Sequence, residues 1–462
     1  MSSPGAAQAG AVAPPDGLPV PRRYWAIAAI ILAICMSVLD ATIANVALPS
    51  IARDFHATKA ASIWVINAYQ LAILATLLPL ASLGEIVGYR KVSQTGMVVF
   101  TLASLGCAFS TSLLTMSIAR VIQGLGAAGI MSVNAALMRF TYPHHMLGRA
   151  IGINAFAVAV AAATGPTIAS AILAVAHWRW LFAINLPIGI TTLAIATYAL
   201  PVIEPSPRRL NYVGAVLLAG TFILLVSGLQ ALAHDVATPV ALFEIGAGVV
   251  LGIALVRHEL DRPMPLIPFD LLRVRLFALS VATSICSFTA QTGALVSLPF
   301  EIQRLGHSAV ETGLFMTPWP VGVGIAAPIV GRLADRYHAG VLCGAGLLAM
   351  AVGLSLLAHV PAGSSAPDFL WRMLICGLGF GFFQTPNNRA ILASSPRART
   401  GAAGGMLSTA RLVGQTLGAA GVALLFRAYP ASGSNVALLI AAGISFVAAM
   451  VSVTRVTTPQ PA

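Results

Sequence analysis

The sequence predicts an all-α protein that crosses a membrane many times, and three observations support this fold class. Hydrophobic residues make up 58% of the 462 positions. Charged residues make up only 9%, against about 25% in ordinary soluble domains. Apolar stretches of bilayer-crossing length recur along the whole chain, and parts of the sequence repeat at an offset of about 250 residues.

We predict fourteen membrane-spanning helices from the lengths of these stretches, since about 20 helical residues cross a bilayer. The predicted spans cover residues 24–48, 62–82, 92–110, 113–138, 150–174, 180–200, 212–232, 239–256, 277–299, 309–330, 340–360, 369–393, 401–426 and 436–454. Residues 1–21 are rich in proline, alanine and glycine and are expected to form a disordered cytoplasmic tail. None of the five cysteines has metal-ligand spacing, so we expect neither disulfides nor a metal site.

The repeat divides the fourteen spans into two six-helix bundles with an inserted pair between them. The stretch SLGEIVGYRK at 82–91 follows the second span as RLADRYHAG at 332–340 follows the tenth. RVIQGLG at 120–126 corresponds in the same way to RMLICGLG at 372–379. The predicted divisions are an N-terminal bundle over 22–205, helices seven and eight with a cytoplasmic loop over 206–275, a C-terminal bundle over 276–456 and a cytoplasmic tail over 457–462.

The basic residues orient these helices in the membrane. If the N-terminus is cytoplasmic, eighteen Lys and Arg residues fall on the cytoplasmic side and five on the outer side, as the positive-inside rule requires. The net charge of +12 is then a topology signal, and nucleic acid is not an expected partner. We expect a multi-pass protein of a bacterial inner (plasma) membrane with both termini in the cytoplasm.

Asp40 is the one acid well inside a predicted span, where a carboxylate costs about 2.5–3.5 kcal/mol on insertion scales. Asp40 in span one, Gln70 in span two and Arg120 in span four lie roughly 10–13 Å below the outer surface. A buried acid and a buried base at one depth offset part of each other's desolvation cost. We interpret Asp40 as the carrier of an exchanged proton whose affinity Arg120 sets. The alternative is an ion pair that only fixes helix packing.

Three stretches resemble signatures of the major facilitator superfamily and, within it, of the fourteen-helix drug:proton antiporters of the EmrB/QacA type. They are LDATIANVALP at 39–49, WVINAYQL at 64–71 and WRWLFAINLPIG at 178–189. The resemblance implies a major facilitator fold that opens a midplane site alternately to each side, with proton coupling at the positions of Asp40 and Arg120. It also implies that a kink at Gly165 and Pro166 in span five helps to seal one half against the other. A kink that serves packing alone is the alternative.

The resemblance further implies that loop residues between consecutive spans latch the halves together on the cytoplasmic side. These residues are Glu85, Gly88 and Arg90 in the first copy and Gly331, Asp335 and Arg336 in the second. The first copy departs from the family pattern, because Glu85 stands where an aspartate is usual and Ile86 where an arginine is usual. Ordinary positive-inside anchoring is the alternative role for these charges.

Polar and aromatic side chains within the spans are candidates to line a substrate cavity. They are Asn45, Asn67, Gln70, Gln123, Gln291, Trp319, Gln384, Asn387 and Arg411. Arg411 lies near mid-membrane in span thirteen. Three roles remain for it: it pairs with a carbonyl group, it pairs with an anionic group of the substrate, or it supports the structure of the C-terminal half. No second deep acid accompanies Asp40, which favours monocationic or neutral amphipathic substrates over dications. We also expect FQTPNN at 383–388 to break span twelve near its inner end.

Together these features predict a proton-coupled exporter of amphipathic drugs or toxic organic compounds, driven by the proton motive force without a resident cofactor. A transporter of a specific metabolite, siderophore or lipid on the same fold is the alternative. An enzyme is not expected, since the sequence has no HExxH, GxSxG or phosphate-loop motif. The expected partners are protons, a small amphipathic substrate and the lipid bilayer. The sequence does not decide whether a periplasmic adaptor also binds.

Overall fold

The computed structural model describes residues 17–143, 146–203, 210–232, 238–260, 262, 269–334, 336–361, 363–394 and 400–455. Within these ranges the chain forms fourteen long helices and no β-strand. They are α1 Arg22–Asp54, α2 Lys59–Val87, α3 Tyr89–Ala108, α4 Leu113–Thr141, α5 Leu147–Val175, α6 Trp180–Ala199, α7 Tyr212–Leu232, α8 Thr238–Leu260, α9 Arg275–Arg304, α10 Ala309–Leu333, α11 Ala339–Ala358, α12 Ala366–Ala393, α13 Thr400–Ala428 and α14 Gly433–Thr454. Short interruptions at Ile63, Ile184 and Thr317 divide α2, α6 and α10.

The helices confirm the prediction of an all-α polytopic membrane protein. Among the described residues, thirteen helices are long and apolar enough to cross a membrane. The remaining helix, α3, lies where the third span was predicted and carries Arg90, Lys91 and Gln94 in its first two turns, which lowers its hydropathy. The polar start of α3 follows directly from the tight turn at Gly88, whose φ of 104° is readily adopted only by glycine.

Two helices continue through prolines at which we expected them to end or break. α1 runs through Pro49 to Asp54, and α12 is unbroken through Pro386. The helix α1 therefore extends beyond the span predicted over 24–48, and the expected break at 383–388 was wrong. Membrane helices tolerate proline because neighbouring helices satisfy the freed backbone groups. Asp40 lies fourteen residues before the end of α1, about 21 Å along the helix axis.

The six helices α1–α6 and the six helices α9–α14 pack in the same pairs. α1 contacts α4, α5 and α6, just as α9 contacts α12, α13 and α14. Gly96 and Gly126 bring the backbones of α3 and α4 together, since a Cβ on Gly96 would lie 2.8 Å from the Gly126 carbonyl oxygen. Gly346 and Gly379, at the corresponding places in the second half, do the same for α11 and α12.

The starts of the helices repeat in the same way. Thr58 caps the first turn of α2, and Ser308, its counterpart in the second half, caps the first turn of α10. Pro49 in α1 and Pro299 in α9 correspond in the same register as these caps. Positions in α1–α3 therefore correspond to α9–α11 in the register of the caps and prolines, and positions in α4 correspond to α12 in the register of the paired glycines. The end points of the two bundles stay a prediction.

The remaining helices, α7 and α8, pack against each other along their lengths. α7 also contacts α2 in the first half and α13 in the second. The pair therefore lies beside the line at which the two halves meet. This position agrees with helices that were inserted between two copies of a six-helix unit.

The two halves contact each other on the predicted outer side through α5 and α10. The Ser170 hydroxyl donates to the Val310 carbonyl oxygen at 2.8 Å, and the hydroxyls of Thr167 and Thr317 are 2.9 Å apart. A Cβ on Gly313 would lie 2.6 Å from the Pro166 carbonyl oxygen. The absence of a side chain at Gly313 thus lets the two helices touch.

Candidate functional site

Asp40 lies in the middle of a buried polar network formed by helices of the first half. Its carboxylate pairs with Arg120 Nη1 from α4. It also accepts hydrogen bonds from Gln123 Nε2 at 2.9 Å and from Asn185 Nδ2 of α6 at 2.8 Å. Asp40 and Arg120 are each 1% exposed. The structure therefore brings together the two residues that the sequence predicted to pair.

Arg120 is held in place from several sides. Its Nε donates to the Val65 carbonyl oxygen of α2 at 2.9 Å, and its Nη1 donates to Gln123 Oε1 at 2.6 Å. The guanidinium carbon lies 4.1 Å from the centre of the Tyr69 ring and 5.7 Å from that of Phe182. Aromatic faces and fixed acceptors stabilise a guanidinium that has lost its water.

Ser104 on α3 completes the network. Its hydroxyl oxygen accepts from Gln123 Nε2 at 2.8 Å and from Asn185 Nδ2 at 3.3 Å, and the hydroxyl donates to the Phe100 carbonyl oxygen at 2.8 Å. Sequence reasoning identified Gln123 as a cavity residue but singled out neither Ser104 nor Asn185. Asn185 lies inside the WRWLFAINLPIG signature, which was the available signal, whereas Ser104 carried none.

The network joins α1, α3, α4 and α6, with a further contact to α2, so its geometry depends on how these helices sit relative to one another. Three donors face the Asp40 carboxylate, and burial opposes any net charge at this depth. A small movement of α1 relative to α4 would change the number of donors facing Asp40. The hydrogen bonding of Asp40 therefore depends on the arrangement of the helices.

Several predicted cavity residues have buried polar atoms without a hydrogen-bond partner among the described residues. They are Asn45 Oδ1, Asn67 Oδ1 and Nδ2, Gln70 Oε1, Trp319 Nε1 and Arg411 Nε. These residues lie on α1, α2, α10 and α13. Buried polar groups are normally paired, so water or a ligand would complete the hydrogen bonds of these atoms.

The other predicted cavity residues divide into two kinds. Gln291 on α9 and Gln384 on α12 are half-buried. Asn387 is fully buried and serves the C-terminal half, because its Nδ2 donates to Ser284 Oγ at 2.8 Å and its Oδ1 accepts from Arg455 Nη1 at 2.7 Å. Arg455, counted from the sequence as a cytoplasmic anchor, is only 1% exposed.

The predicted gating residues occupy two places. Gly165 packs on α1, where its Cβ would lie 2.8 Å from Thr42 Cβ, and Pro166 lies in the contact between α5 and α10. On the predicted cytoplasmic side, Arg90 donates to the carbonyl oxygens of Thr197 and Leu200 at the end of α6. Arg90 is thus bound within its own half in this structure.

The remaining residues of the predicted latch lie at the ends of the second and tenth helices. Glu85 is half-buried near the end of α2 and has a polar partner, and Arg336 is exposed in the loop after α10. Gly331 has open space around it. Asp335 lies outside the described residues. The latch between the halves stays a prediction.

Comparison with known proteins places this architecture among transporters. The family model described as Major Facilitator Superfamily matches residues 30–419. Uncharacterized transporter YebQ of Escherichia coli (strain K12) is 51% identical over 448 residues, which cover 96% of this chain and 98% of that protein. Riboflavin transporter RibZ of Clostridioides difficile (strain 630) is 30% identical over 86% of this chain and 87% of its own length.

Two further similarities are informative. Multidrug resistance protein Stp of Mycobacterium tuberculosis (strain CDC 1551 / Oshkosh) is 32% identical over 84% of this chain and 73% of its own length. A crystal structure of a POT family transporter in complex with a thioalcohol conjugated peptide superimposes with a TM-score of 0.73, at 12% identity, over 93% of this chain and 96% of that one. At that identity the likeness concerns the fold alone.

Proposed function

Since the chain belongs to the Major Facilitator Superfamily and is therefore a membrane transporter rather than an enzyme, we propose that it exchanges protons for amphipathic compounds and exports them by alternating access. The fourteen-helix drug:proton antiporters are the subfamily that fits this proposal. The proton motive force drives the exchange, and no resident cofactor takes part. One charge that crosses the membrane is worth about 2.3 kcal/mol per 100 mV, before any pH gradient is added.

The buried network around Asp40 is the observation that carries the proposal. An ionised Asp40 needs its three donors, whereas a protonated Asp40 leaves Arg120 to Val65, Gln123 and the Tyr69 ring. The two protonation states therefore favour different arrangements of α1 and α4. A carboxyl group whose charge selects the helix arrangement couples proton binding to the conformational cycle.

The contact between α5 and α10 supports alternating access. Among the described residues it closes the outer side of the interface through two hydrogen bonds and the close approach at Gly313. An interface with so few polar bonds can open and close within the cycle. In the proposed orientation both termini are cytoplasmic, and the protein lies in a bacterial inner membrane.

A transporter of one specific solute is the second candidate. The named function of RibZ, a riboflavin transporter, supports it, while the name of Stp, a multidrug resistance protein, supports the first. Both relatives are similar to this chain at nearly the same identity. The substrate therefore has to be decided by transport measurements, with riboflavin as one of the compounds.

The proposal is tested by gradient-driven uptake into inside-out vesicles. Fluorescein and rhodamine 123 are an anion and a cation on the same ring system, and riboflavin is a third compound. We expect the intact protein to accumulate at least one dye when a proton gradient is imposed, and Asp40→Asn to lose this uptake. The matched control is Asp54→Asn, since Asp54 lies on the same helix but is 37% exposed.

The outcomes of this experiment separate the coupling role of Asp40 from the choice of substrate. Equal uptake by the intact protein and Asp40→Asn would make Asp40 a structural residue and remove the coupling proposal. Uptake of riboflavin alone would replace the exporter of amphipathic compounds by the second candidate. Loss of uptake in both Asp40→Asn and Asp54→Asn would show that any charge change in α1 disables the protein.

A further inference from the structure

Arg411 on α13 is a half-buried cation for which the described residues offer no partner. Its Nε is buried without a hydrogen-bond acceptor, and none of the ion pairs among the described residues includes it. The residues on either side, Ala410 and Leu412, are buried. α2, α7, α9, α12 and α14 all contact this helix. Since an unpaired charge in such surroundings is unfavourable, Arg411 requires water or an anion beside it.

The level of Arg411 follows from the packing of α13 against α2. A Cβ on Gly405 would lie 3.5 Å from Leu78 Cδ2, and α13 also contacts the first turn of α2, so the two helices run antiparallel. Arg411 lies six residues beyond Gly405, and Gln70 lies eight residues from Leu78 in the matching direction. At 1.5 Å per residue the two lie within about 3 Å of the same height.

Gln70 therefore lies at a similar height on the other half of the protein. Its Oε1 is buried and lacks a hydrogen-bond partner among the described residues. Leu412, the neighbour of Arg411, belongs to the buried apolar cluster that contains Tyr69 and Ile73 of α2. Two side chains with an unpartnered buried polar atom, one from each half, thus lie at a similar height near mid-membrane on helices that pack together.

The charges at this depth do not balance. Asp40 is the one acid deep within a helix among the described residues, and Arg120, Gln123 and Asn185 already bind it. The described acids on the other long helices, such as Glu301 and Glu311, lie near helix ends. With Asp40 committed to Arg120, Arg411 leaves one positive charge in excess.

We propose that the transported compound carries a negatively charged group, a carboxylate or sulfonate on an apolar body, and that Arg411 binds this group with Gln70 beside it. This inference rests on the proposed transport function and narrows its substrate class. It departs from the monocationic or neutral substrates that the sequence favoured. That expectation treated Asp40 as an acid able to bind a cation, whereas the network leaves Asp40 no free face.

The outer mouth of the interface supports an anionic path. A cavity of about 520 Å³ lies between the outer ends of α1 and α9. Arg53, Lys59 and Arg304 line it together with His56. Arg304 pairs with Glu301 at 2.5 Å, and the other basic side chains have no carboxylate within ion-pair distance among the described residues. A cleft lined by one sign of charge attracts ions of the opposite sign.

Binding without a gradient tests the inference. The probes are 2-naphthoate, 2-naphthamide and 2-naphthylmethylammonium, which differ in charge on one ring system, and the pair fluorescein and rhodamine 123. Each is titrated against the purified protein while its unfolding temperature is followed. We expect the anion in each set to bind about tenfold to hundredfold more tightly than its neutral or cationic analogue. Equal binding across charges, or no binding of either anion, would overturn the inference.

Variants of Arg411 and Gln70 test whether these residues cause the preference for anions. Arg411→Gln should abolish the preference for the anions, Arg411→Lys should keep most of it, and Gln70→Leu should weaken anion binding by severalfold. The matched control is Arg372→Gln, because Arg372 is half-buried on α12 and bonds to Asp368. If Arg411→Gln does not purify as a folded protein, Gln70→Leu and the charge series on the intact protein still decide the question.

The binding test and the uptake test fail independently. If the anion preference is present but Asp40→Asn still transports, the substrate class stands and the coupling proposal falls. If coupling through Asp40 is intact but the anions bind no better than the cations, the substrate class falls alone. An anion preference that survives Arg411→Gln would place the anion elsewhere and overturn the role given to Arg411.

Discussion

The two halves of this protein pack the same helices in the same pairs but fill the corresponding positions with opposite chemistry. The buried network of the first half contains Asp40, Ser104 and Gln123. In the register fixed by the shared glycines and caps, the second half has Ala290, Leu354 and Cys376. All three are fully buried among apolar neighbours. A symmetric scaffold therefore carries the paired acid and base in its first half, without a counterpart at the corresponding positions of the second.

This difference indicates that a buried charged network is present with all its partners or is absent altogether. A lone buried acid or base costs several kcal/mol, whereas a complete set of partners offsets most of that cost. In the second half the positions that correspond to Asp40, Ser104 and Gln123 are apolar or cysteine, so none of these three members is left unpaired there. The proposed coupling therefore belongs to the first half, which leaves the second half free to present Arg411 to a substrate.

Arg120 and Arg372 look equivalent in the sequence but occupy different positions in the two halves. The two motifs align an arginine with an arginine, but the second motif is one residue longer. The register of the paired glycines places Met373 opposite Arg120, so Arg372 is turned by about 100° around the helix axis. Its Nη1 bonds to the Asp368 carbonyl oxygen at 2.6 Å instead.

The largest expected effect comes from Arg120→Met, with Arg372→Met as its counterpart in the second half. Removing Arg120 leaves Asp40 as a buried charge without its cation, which should lower the free energy of unfolding by about 3–5 kcal/mol. Arg372→Met should cost no more than about 1 kcal/mol, because its partner Asp368 is 41% exposed. SDS titration of the purified variants measures both losses.

A double variant sharpens this comparison. Asp40→Asn combined with Arg120→Met should lose clearly less stability than the sum of the two single losses, because no charge stays buried. Equal losses for Arg120→Met and Arg372→Met would contradict the asymmetry. So would full additivity in the double variant.

An intermediate effect is expected at Arg455, a buried arginine of the second half whose hydrogen-bond partners among the described residues include no acid. Its Nη1 donates to Ser280 Oγ at 2.9 Å and to Asn387 Oδ1 at 2.7 Å. Arg455→Met should lower the free energy of unfolding by about 1–3 kcal/mol, because it leaves neutral acceptors unpaired but no charge. The same SDS titration serves here, and a loss as large as that of Arg120→Met would show that the acid is not what separates the halves.

The fold and the Asp40–Arg120 pair could be predicted from the sequence, but the surrounding members of the network could not. Asp40 and Arg120 could be paired because charges inside apolar spans are rare and their depths can be counted. Ser104 could not be found, since a serine in an apolar helix has no charge and commonly bonds to its own helix, as Ser104 does to Phe100. The missing partner of Arg411 is likewise a property of packing, visible only once the neighbouring helices are in place.

The predictions of where helices end or break were wrong for a different reason. A break was expected at 383–388, and the first span was predicted to stop at residue 48, yet both helices continue through a proline, as membrane helices commonly do. The burial of Arg455 was missed in the same way. A residue just beyond a span is classed as a loop anchor from sequence, and only the packing of α14 against α9 brings it inside.

The smallest effect is expected where the halves are alike, at the caps of α4 and α12. The Ser112 hydroxyl accepts from the Thr115 backbone N–H at 3.2 Å, and at the corresponding place in the second half the Ser365 hydroxyl donates to Asp368 Oδ2 at 3.0 Å. Ser112→Ala and Ser365→Ala should each lower the free energy of unfolding by about 1 kcal/mol in SDS titrations.

The control for these caps is Ser364→Ala, whose hydroxyl donates only to the Pro361 carbonyl oxygen in an exposed turn. It should change the unfolding free energy by less than either cap. If the two caps differ by much more than about 1 kcal/mol, the halves are not equivalent at their helix starts. The asymmetry at Asp40 would then reflect a general divergence of the repeat. Similar losses at both caps would confine that asymmetry to the charged centre, as expected if selection for coupling acts on one half of a shared scaffold.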